Sequence, residues 1–492
     1  MQPPPAPPSH HDLAAYRRPQ PAQAAADAIP LLVDNTYHLF HLVTPPNTVH
    51  HPPRLRSSWA RLRSTDLVNW TRDELPVVNP GQDAADPDTS GAWTGCAVQG
   101  PDGRMNLFYT GYSLPRNGMQ VVLRMVANDK HGTHFEPGRK QIEIADVDGS
   151  HSSKFEDIDF RDPYIFFNQD AGLYWMLVAT RLRSGPYWTR GCIALLTSPD
   201  LEVWTPEPEP LYAPGDMFCP ECPELFTLPN GKWYLVYSRF HAPNPGTVYR
   251  VADSPRGPFR TPRDGSFGRL DARRWYAAKS CSKAGSTDRR VYFGWIADRC
   301  AEDGKWLWGG DLGIPRELFA DVNGLLRVQP AQEVLPDFYS AAQARVKLSS
   351  IAGTSTVFPG ELAQLHHHTD AVMRLDVNSC DAVGFGLVFD ADRELSGHRL
   401  RFIPTGDTWS VILLTDVVPL DDFWADQYNL HVDRPVDGPE TARHDNVTPV
   451  KLDGQAGSVQ GNVPQCLRRI GIFVDDGSVD LGISLSAVDR SQ

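Results

Sequence analysis

The sequence predicts an all-β protein, a five-bladed β-propeller followed by a C-terminal β-sandwich. Three observations predict it. Five short aromatic and β-branched runs recur about 60 residues apart, a second phrase follows four of them, and no strong amphipathic helix lies between them. A repeated unit of this length with several strands is typical of four-stranded blades arranged around an axis. A long β-sandwich with coincidental spacing is the alternative.

The five runs read as strands because they are rich in aromatic and β-branched residues. They are YHLFHL from Tyr37, MNLFYTGY from Met105, YWMLVATR from Tyr174, WYLVYSRF from Trp233 and RVYFGWIA from Arg290. Related phrases follow the first four runs at Ser64, Asn128, Ser198 and Ser254, and those at Ser64 and Ser198 share the pattern S-x-D-L-x-x-W. One run with its following phrase therefore marks one blade.

Composition changes at both ends of this repeat. Residues 1–22 are rich in proline and are expected to form a mostly disordered tail. The propeller is predicted over 23–335, and residues 336–492 are predicted to form the β-sandwich. Strand-like runs support the second domain, and they begin at Ala371, Val383, Trp409 and Arg469.

The charge balance excludes some classes of partner. Lys and Arg total 47 against 60 Asp and Glu, a net charge of -13, which repels a phosphate backbone. No run approaches the roughly 18 apolar residues that a membrane helix needs. The start has neither the basic residues nor the apolar core of a secretory signal, and the eight cysteines are scattered, so a cytoplasmic protein is expected. The oligomeric state is left open.

In a propeller the innermost strand of each blade begins at the axial channel, so residues just before the aromatic runs are expected to share one pocket. These positions hold Asp27, the pair Trp93-Thr94, the pair Arg161-Asp162, Glu221 and Tyr276. Three carboxylates thus come from blades one, three and four. Glycoside cleavage uses one carboxyl to protonate the leaving oxygen and a second to attack or stabilise the anomeric carbon.

The segments that carry these residues resemble one family. FRDP, ECPELF, the YHLF run and STDLVNW are similar to glycoside hydrolase family 32, the invertases, inulinases and levanases. The resemblance spans about residues 23–320 and implies that Asp27 is the nucleophile, Asp162 the transition-state stabiliser and Glu221 the general acid/base. It further implies that Arg161 and the Trp93-Thr94 pair contact the furanose ring. Members of the family also carry a C-terminal β-sandwich.

The resemblance implies a retaining hydrolase of terminal β-fructofuranosyl residues in sucrose, fructo-oligosaccharides or fructans, with fructosyl transfer as a second outcome and no cofactor. The nucleophile loop of this chain differs from that of the family, because the family's usual Asn-Asp-Pro-Asn-Gly is replaced by Ala-Asp-Ala-Ile-Pro at residues 26–30. An inverting furanosidase, such as an arabinofuranosidase, therefore stays open, as does a carbohydrate-binding propeller without catalysis.

Each candidate also has a structural interpretation. Asp27 could cap a strand, and Arg161 and Asp162 could form an ordinary ion pair. Three further aromatic side chains, Trp59, Tyr276 and Trp308, are candidates for sugar binding, and each could equally belong to the core. Three features are interpreted as structural or solvated: the Cys219-x-x-Cys222 spacing, the His366–His368 run, and the segment 311–317, which resembles the family's propeller-closing strand. No metal site is expected.

Overall fold

The computed structural model describes most of the first 334 residues and the strands that follow. The described residues are 18–19, 23–45, 56–239, 246–264, 266–271, 275–299, 306–334, 342–352, 355–357, 369–380, 384–390, 398–405, 408–415, 447–450, 457–460, 469–475 and 478–489. For 297–299, 306–308 and the strands from 342 onward only the backbone is described. His366–His368 lie outside the described residues.

The protein is nearly all-β, as the sequence predicts. Among the described residues the only helical elements are a short α-helix, Ser150–Lys154, and a 3-10 helix, Leu114–Arg116. None of the helices in this part of the chain is long or apolar enough to span a membrane. The chain divides into two compact units, one of Met1–Pro262 with Arg274–Val328 and one of Arg263–Arg273 with Gln329–Gln492. The predicted domain boundary at 335/336 falls outside the described residues.

The first unit contains five successive groups of antiparallel strands, the blades of the predicted propeller. Blade one has four strands: β1 Ala25–Val33, β2 Thr36–Val43, β3 Ser58–Ser64 and β4 Thr71–Arg72. Blade two has four: β5 Gly91–Gln99, β6 Met105–Ser113, β7 Met119–Val126 and β8 Lys140–Gln141. Blade three has β10 Phe155–Asn168, β11 Leu173–Leu182, β12 Gly191–Ser198 and β13 Val203–Pro206, with β9 Glu143–Ile144 added in parallel.

Blades four and five complete the series. Blade four has three strands: β14 Glu221–Thr227, β15 Trp233–Arg239 and β16 Gly246–Ala252. Blade five has β17 Trp275–Ser282, β18 Arg289–Arg299, β20 Arg316–Ala320 and β21 Leu326–Pro330. The five aromatic runs form β2, β6, β11, β15 and β18, the second strand of every blade, so their spacing does report the blade repeat.

The first strands of the blades contact one another in a closed ring. β1 contacts β5, β5 contacts β10, β10 contacts β14, β14 contacts β17, and β17 returns to β1. A further strand, β19 Trp306–Leu312, joins the last blade to the first, because it pairs with β18 at Asp311 and with β1 at Gly310. The segment 311–317, predicted to close the propeller, begins in this strand.

The repeated S-x-D-L-x-x-W phrase forms the same turn in blades one and three. In blade one the Ser64 hydroxyl accepts a hydrogen bond of 2.9 Å from the Leu67 backbone N–H, and Leu67 takes a positive φ of 64°. In blade three the Ser198 hydroxyl accepts from Leu201 at 3.0 Å, with a φ of 70°. Serine and aspartate side chains that satisfy local N–H groups favour such turns.

The core of the propeller lies between the sheets. In blades two and three it contains Phe108, Met176, Val178, Leu196 and Trp204, and the Phe108 and Trp204 rings meet edge to face at 6.1 Å. Alternate residues of a strand point to opposite faces, and the second strands of blades one to four are buried along nearly their whole length, so they have core on both faces.

The second unit contains two antiparallel sheets. The first, of four strands, orders them β22 Ala342–Ala352, β31 Ser478–Asp489, β24 Thr369–Cys380 and β29 Gly457–Gln460. The second has six: β23 Ser355–Val357, β30 Arg469–Asp475, β25 Gly384–Asp390, β26 His398–Thr405, β27 Thr408–Thr415 and β28 Val447–Val450. Two antiparallel sheets are the components of the predicted β-sandwich.

Part of the predicted tail packs against the first unit. Arg18 donates hydrogen bonds to the carboxylate of Asp311, from its backbone N–H at 2.8 Å and from Nη2 at 3.1 Å. Both side chains are largely buried. The expectation of an unpacked tail therefore does not hold at Arg18, because its guanidinium neutralises a carboxylate on the closing strand.

Candidate active site

An irregularity recurs at the same place in the first strand of every blade. The regular pairing with the second strand is interrupted between residues 26 and 28 in β1, 92 and 95 in β5, 161 and 164 in β10, 221 and 224 in β14, and 276 and 279 in β17. A β-bulge bends a strand and redirects the side chains at the bend. Every residue predicted from the positions before the aromatic runs lies at one of these five bulges or directly beside it.

The bulges impose an unusual backbone conformation on four residues. Positive φ angles occur at Asp27 (33°), Asp162 (59°), Cys222 (51°) and Ala277 (46°). Such angles are rare for residues other than glycine, and strained backbone is concentrated at functional sites. Asp27 and Asp162 thus occupy equivalent positions in their blades. Glu221 is different, because it precedes the bulge residue of blade four.

Asp27 lies in the pocket with the other two carboxylates. Its Oδ1 accepts a hydrogen bond of 3.0 Å from Nε1 of Trp295. Burial and, to a lesser extent, the negative charges of Asp162 and Glu221 raise the pKa of Asp27 to about 8, although Lys279 and the Trp295 hydrogen bond lower it. Ionisation of Asp27 is therefore unfavourable beside these two carboxylates.

Glu221 is held from two sides. Arg161 Nη2 lies 3.1 Å from its Oε1, and the Tyr276 hydroxyl donates to its Oε2 at 2.7 Å. Burial raises the pKa of Glu221, and Arg161 and Tyr276 act against this shift because they stabilise the charged form. The carboxyl is fixed in orientation and keeps its proton to a higher pH than a solvent-exposed glutamate does.

Asp162 is held by its neighbours on both sides of the ring. Its Oδ2 accepts a hydrogen bond of 2.9 Å from the backbone N–H of Cys222, in the next blade. Its own N–H donates to the Thr110 hydroxyl of the preceding blade at 2.8 Å. Arg161 Nε lies 3.9 Å from the same carboxylate oxygen. Asp162 is therefore linked to blades two and four and to the cation that contacts Glu221.

Arg161 is the centre of a buried network of charges. Besides Glu221, it contacts Asp159, whose Oδ1 is 2.5 Å from Nη1. The other oxygen of Asp159 accepts from Nη1 of Arg181 at 3.1 Å. The Asp159 and Glu221 carboxylates raise the pKa of Arg161 well above its usual range, so its charge is permanent. Arg161 therefore has both a structural partner and a partner in the site, which combines the two interpretations drawn from the sequence.

The aromatic candidates differ in position. Trp93 is partly exposed at the bulge of β5, and its ring stacks on Tyr112 with centroids 4.2 Å apart. Trp59 has no exposed surface and donates from Nε1 to the backbone carbonyl of Trp93 at 2.9 Å. We therefore place Trp59 behind Trp93, as its support. Thr94 is buried beside Trp93, and its carbonyl accepts from the Thr110 hydroxyl at 3.0 Å.

Tyr276 and Trp308 complete the predicted set. Tyr276 is in direct contact with Glu221, as described above, and its ring also meets Trp295 edge to face at 5.8 Å. Trp308 lies in β19, and its side chain is outside the described part of the chain.

The sequence did not single out three residues that contact the site. They are Trp295, which donates to Asp27; Thr110, which holds the bulge at Asp162; and Lys279, a buried cation whose Nζ donates to the Gly95 carbonyl at 2.7 Å. Trp295 and Thr110 lie inside two aromatic runs that were used only to count blades. Lys279 lies three residues after Tyr276, at the other end of the same bulge.

The Cys219-x-x-Cys222 pair lies beside these carboxylates. Both thiols are buried and unpaired, and burial raises the pKa of each well above its usual range. A reactive dithiol needs the opposite shift, so the arrangement is typical of structural cysteines. Within the described residues no group of three or more His, Cys, Asp or Glu side chains is arranged to hold a metal ion.

The chain is similar in sequence to known proteins. The sequence profile of the glycosyl hydrolases family 32 N-terminal domain matches residues 28–330. The chain is 27% identical over 336 residues to an insoluble isoenzyme of beta-fructofuranosidase from Arabidopsis thaliana, which covers 62% of this chain and 54% of that protein. It is also 27% identical over 361 residues to raffinose invertase from Escherichia coli, covering 64% and 68% of the two chains. The chain thus spans about half the length of the plant relative.

A solved structure matches almost the whole chain. Fructan 1-exohydrolase IIa from Cichorium intybus superposes with a TM-score of 0.68 at 18% identity, covering 96% of this chain and 97% of that one. At this identity the match establishes the fold, a five-bladed propeller followed by a β-sandwich. The profile match covers more than half of the sequence and includes the bulges of blades two to five, and it begins at the residue that follows Asp27. The chain therefore belongs to glycosyl hydrolase family 32.

Proposed function

We propose that this protein is a retaining β-fructofuranosidase that releases terminal fructosyl units from sucrose, fructo-oligosaccharides or fructans. The observation that carries the proposal is the convergence of Asp27, Asp162 and Glu221 in one buried pocket through the bulges of blades one, three and four. The names of its relatives, a beta-fructofuranosidase and a raffinose invertase, support the same class of substrate.

In the first step Glu221 acts as general acid. Its proton passes to the oxygen between the fructosyl unit and its leaving group, while a carboxylate oxygen of Asp27 attacks the anomeric carbon. The bond to the leaving oxygen breaks and a fructosyl ester forms on Asp27. Tyr276 and Arg161 orient the Glu221 carboxyl for this transfer, since each contacts a different oxygen.

In the second step the ionised Glu221 takes a proton from water. The resulting hydroxide equivalent displaces Asp27 from the anomeric carbon and regenerates both carboxyls, with net retention of configuration. A second sugar hydroxyl in place of water gives fructosyl transfer. Asp162 supports both steps by binding sugar hydroxyls more tightly in the transition state than in the ground state. Its hydrogen bond from the Cys222 N–H fixes the carboxylate in advance.

The charges of the pocket suit this division of roles. Burial raises the pKa of both Asp27 and Glu221, so the site retains a proton to a higher pH than two exposed carboxyls would. The reaction starts when that proton is on Glu221 and Asp27 is ionised. Lys279 and the Trp295 indole favour this form, because both stabilise the negative charge on Asp27. The chemistry uses only side chains of the chain and needs no cofactor.

A substrate panel and the stereochemistry of the product test the proposal together. Release of fructose from sucrose, 1-kestose, inulin and levan would be compared with release of sugar from an aryl arabinofuranoside. The first-formed anomer would be followed by NMR before mutarotation. We expect fructosides to be cleaved with retention and transfer products to appear at high sugar concentration. An inverted product would exclude Asp27 as nucleophile, and activity on the arabinofuranoside alone would change the substrate class.

We also propose that the protein works in a reducing compartment such as the cytoplasm. The five cysteines whose side chains the structure describes are buried and form no disulfide, and they include Cys219 and Cys222, which are three positions apart. Disulfides persist mainly in oxidising compartments. Fractionation of the source cells with an antibody to the chain would decide its location, and recovery outside the cytoplasm would overturn this proposal.

A further inference from the structure

An aromatic cluster is exposed next to the catalytic network. It consists of Tyr187 and Trp188, in the loop between β11 and β12, and Phe218, in the segment that leads into β14. Their rings meet pairwise, with centroids 5.0 Å apart for Tyr187 and Trp188, 5.5 Å for Tyr187 and Phe218, and 5.4 Å for Trp188 and Phe218. Tyr187 is 52% exposed and Trp188 is 37% exposed. Grouped exposed aromatic rings are typical of binding sites.

The cluster is held on a buried cation. The guanidinium of Arg181 lies 4.2 Å from the centroid of Tyr187 and 3.9 Å from that of Phe218. Its Nη2 also donates to the Tyr187 carbonyl at 2.7 Å. Arg181 itself is only 2% exposed. Contacts between a desolvated cation and aromatic faces are stabilising, so the rings have a fixed orientation in the absence of a ligand.

Two connections place the cluster close to Glu221. Phe218 precedes Glu221 by three residues, so their Cα atoms are at most about 11 Å apart. The second connection is a series of ion pairs. Arg181 contacts Asp159 at 3.1 Å, and Asp159 also contacts Arg161. Arg161 in turn contacts Glu221 at 3.1 Å. Asp27 takes no part in this chain of contacts. The cluster therefore belongs to the Glu221 side of the pocket.

We propose that Tyr187, Trp188 and Phe218 form a platform for the leaving group, which binds the second and later sugar rings on the far side of the scissile bond. The inference rests on the proposed function. Because Glu221 donates its proton to the leaving oxygen, the leaving group must extend along the Glu221 side. Phe218 is separated from Glu221 by three positions along the chain and the other two rings lie beyond it, so a short leaving group such as glucose does not reach the whole platform.

The chemistry of the cluster fits neutral sugars. The C–H faces of a pyranose or furanose ring are apolar and pack on aromatic faces, and the Tyr187 hydroxyl adds a polar group at the edge. The Arg181 charge is already paired with Asp159 and Glu156 and covered by two rings, so little of it is available to an anionic ligand. The platform consequently favours oligosaccharides over sucrose.

The test compares leaving groups of increasing length. The values of kcat/KM would be measured for sucrose, 1-kestose and nystose, whose leaving groups contain one, two and three sugar rings. We expect the ratio of kcat/KM for nystose to that for sucrose to fall about five- to tenfold in both Tyr187→Ala and Trp188→Ala, because each loses a face against which a ring packs. Melting temperatures would accompany each variant, and Tyr187→Phe keeps the ring if truncation at 187 prevents folding.

A matched control comes from the same blade. Phe167 is 40% exposed and meets Tyr174 at 5.0 Å, but it lies near the C-terminal end of β10, five residues beyond Asp162. Phe167→Ala is expected to leave the nystose to sucrose ratio unchanged. An unchanged ratio in folded Tyr187→Ala and Trp188→Ala overturns the platform alone, provided the wild-type protein cleaves sucrose. If the folded wild-type protein cleaves none of the three sugars, the proposed function fails and the platform with it.

Discussion

At the scale of single residues, Asp27 carries a cost that its function requires. The carboxyl is buried beside two others and has a pKa of about 8, against 3.8 when it is exposed. Trp295 donates a hydrogen bond to this carboxyl, and Lys279 is a buried cation nearby. Both lower the pKa of Asp27. A nucleophile must nonetheless be ionised to react. The ionised form of Asp27 is therefore unfavourable in this site, and substrate binding and proton transfer have to produce it.

This cost predicts a pH-dependent effect of Asp27→Asn on stability. The folded pKa is raised, so folded wild type binds more protons than the unfolded chain between about pH 4 and pH 8, and its unfolding free energy falls as pH rises through this window. Asparagine cannot ionise. As the pH rises from 4 to 8, we therefore expect the unfolding free energy of Asp27→Asn to increase by on the order of 2–5 kcal/mol relative to that of wild type.

Denaturant unfolding at pH 4.5, 6 and 8 measures this difference. Asp170→Asn is the control, because Asp170 is exposed at the turn after β10. Parallel stability profiles for wild type and Asp27→Asn would contradict the raised pKa.

Glu221→Gln tests the acid at the same scale. The amide keeps the shape of the side chain and can still accept from Tyr276, but it has no proton to give. We expect kcat on sucrose to fall by roughly 10²–10⁴. A fructoside whose aryl leaving group departs without protonation should retain much more of its rate. Steady-state kinetics on both substrates check this, and equal losses would remove Glu221 from the acid role.

At the scale of elements, the site depends on the bulges more than on the strands. A regular strand would place successive side chains on opposite faces of the sheet. The extra residue in each first strand changes that direction, and a hydrogen bond from the bulge joins neighbouring blades. The N–H of Asp162 donates to Thr110, that of Cys222 donates to Asp162, and that of Ala277 donates to Ser238 at 3.1 Å.

Thr110→Val tests this bulge. Its hydroxyl accepts from Asp162 and donates to the Thr94 carbonyl, and both groups would be left unsatisfied in a buried position. We expect a loss of about 2–4 kcal/mol in unfolding free energy, together with a lower kcat because Asp162 is no longer fixed.

Thr180→Val is a suitable control in blade three. Thr180 is equally buried, but its hydroxyl makes only a long contact of 3.5 Å, to the carbonyl of Glu156. Denaturant unfolding and kinetics on sucrose would be measured for both variants. Equal effects of the two substitutions would show that the hydroxyl at 110 has no special role.

At the scale of the first unit, Asp27 depends on closure of the ring. Strand β19 meets β1 at Ala25, two residues before Asp27. Gly309 makes the close approach possible, because its φ is +101° and an added Cβ would lie 2.5 Å from the Ala25 carbonyl oxygen. No other residue type fits there without moving one of the strands.

Gly309→Ala should therefore reduce both stability and activity. Gly172→Ala is the matched control, since Gly172 also has a positive φ, of +64°, but open space around it. We expect about 1–2 kcal/mol of strain in the control and about 1–3 kcal/mol more in Gly309→Ala from the collision. Only Gly309→Ala should lower kcat. Melting curves and sucrose kinetics measure both effects, and unchanged kcat would show that closure does not position Asp27.

The sequence by itself determined the architecture. The aromatic and β-branched runs have to be buried, and their even spacing favours a repeated sheet unit, so the five blades could be counted from the sequence. Short motifs also carried Asp27, Asp162 and Glu221, because each lies 10 to 12 positions before the start of such a run. These are local properties of the chain, since strand formation and turn chemistry depend on neighbouring residues.

Only the tertiary structure decided which side chains meet. Trp295 is 268 positions from Asp27, and Lys279 is 184 positions from the Gly95 carbonyl that it contacts. No periodicity in the sequence distinguishes them from core residues. The bulges that aim the carboxylates depend on hydrogen bonds between blades, and the platform at Tyr187 depends on a cation beneath it. Contacts of this kind arise when the ring closes, because closure brings the ends of distant strands together at one axis. It also fixes the charges and hydrogen bonds around the carboxyls, which set the pKa values of these groups.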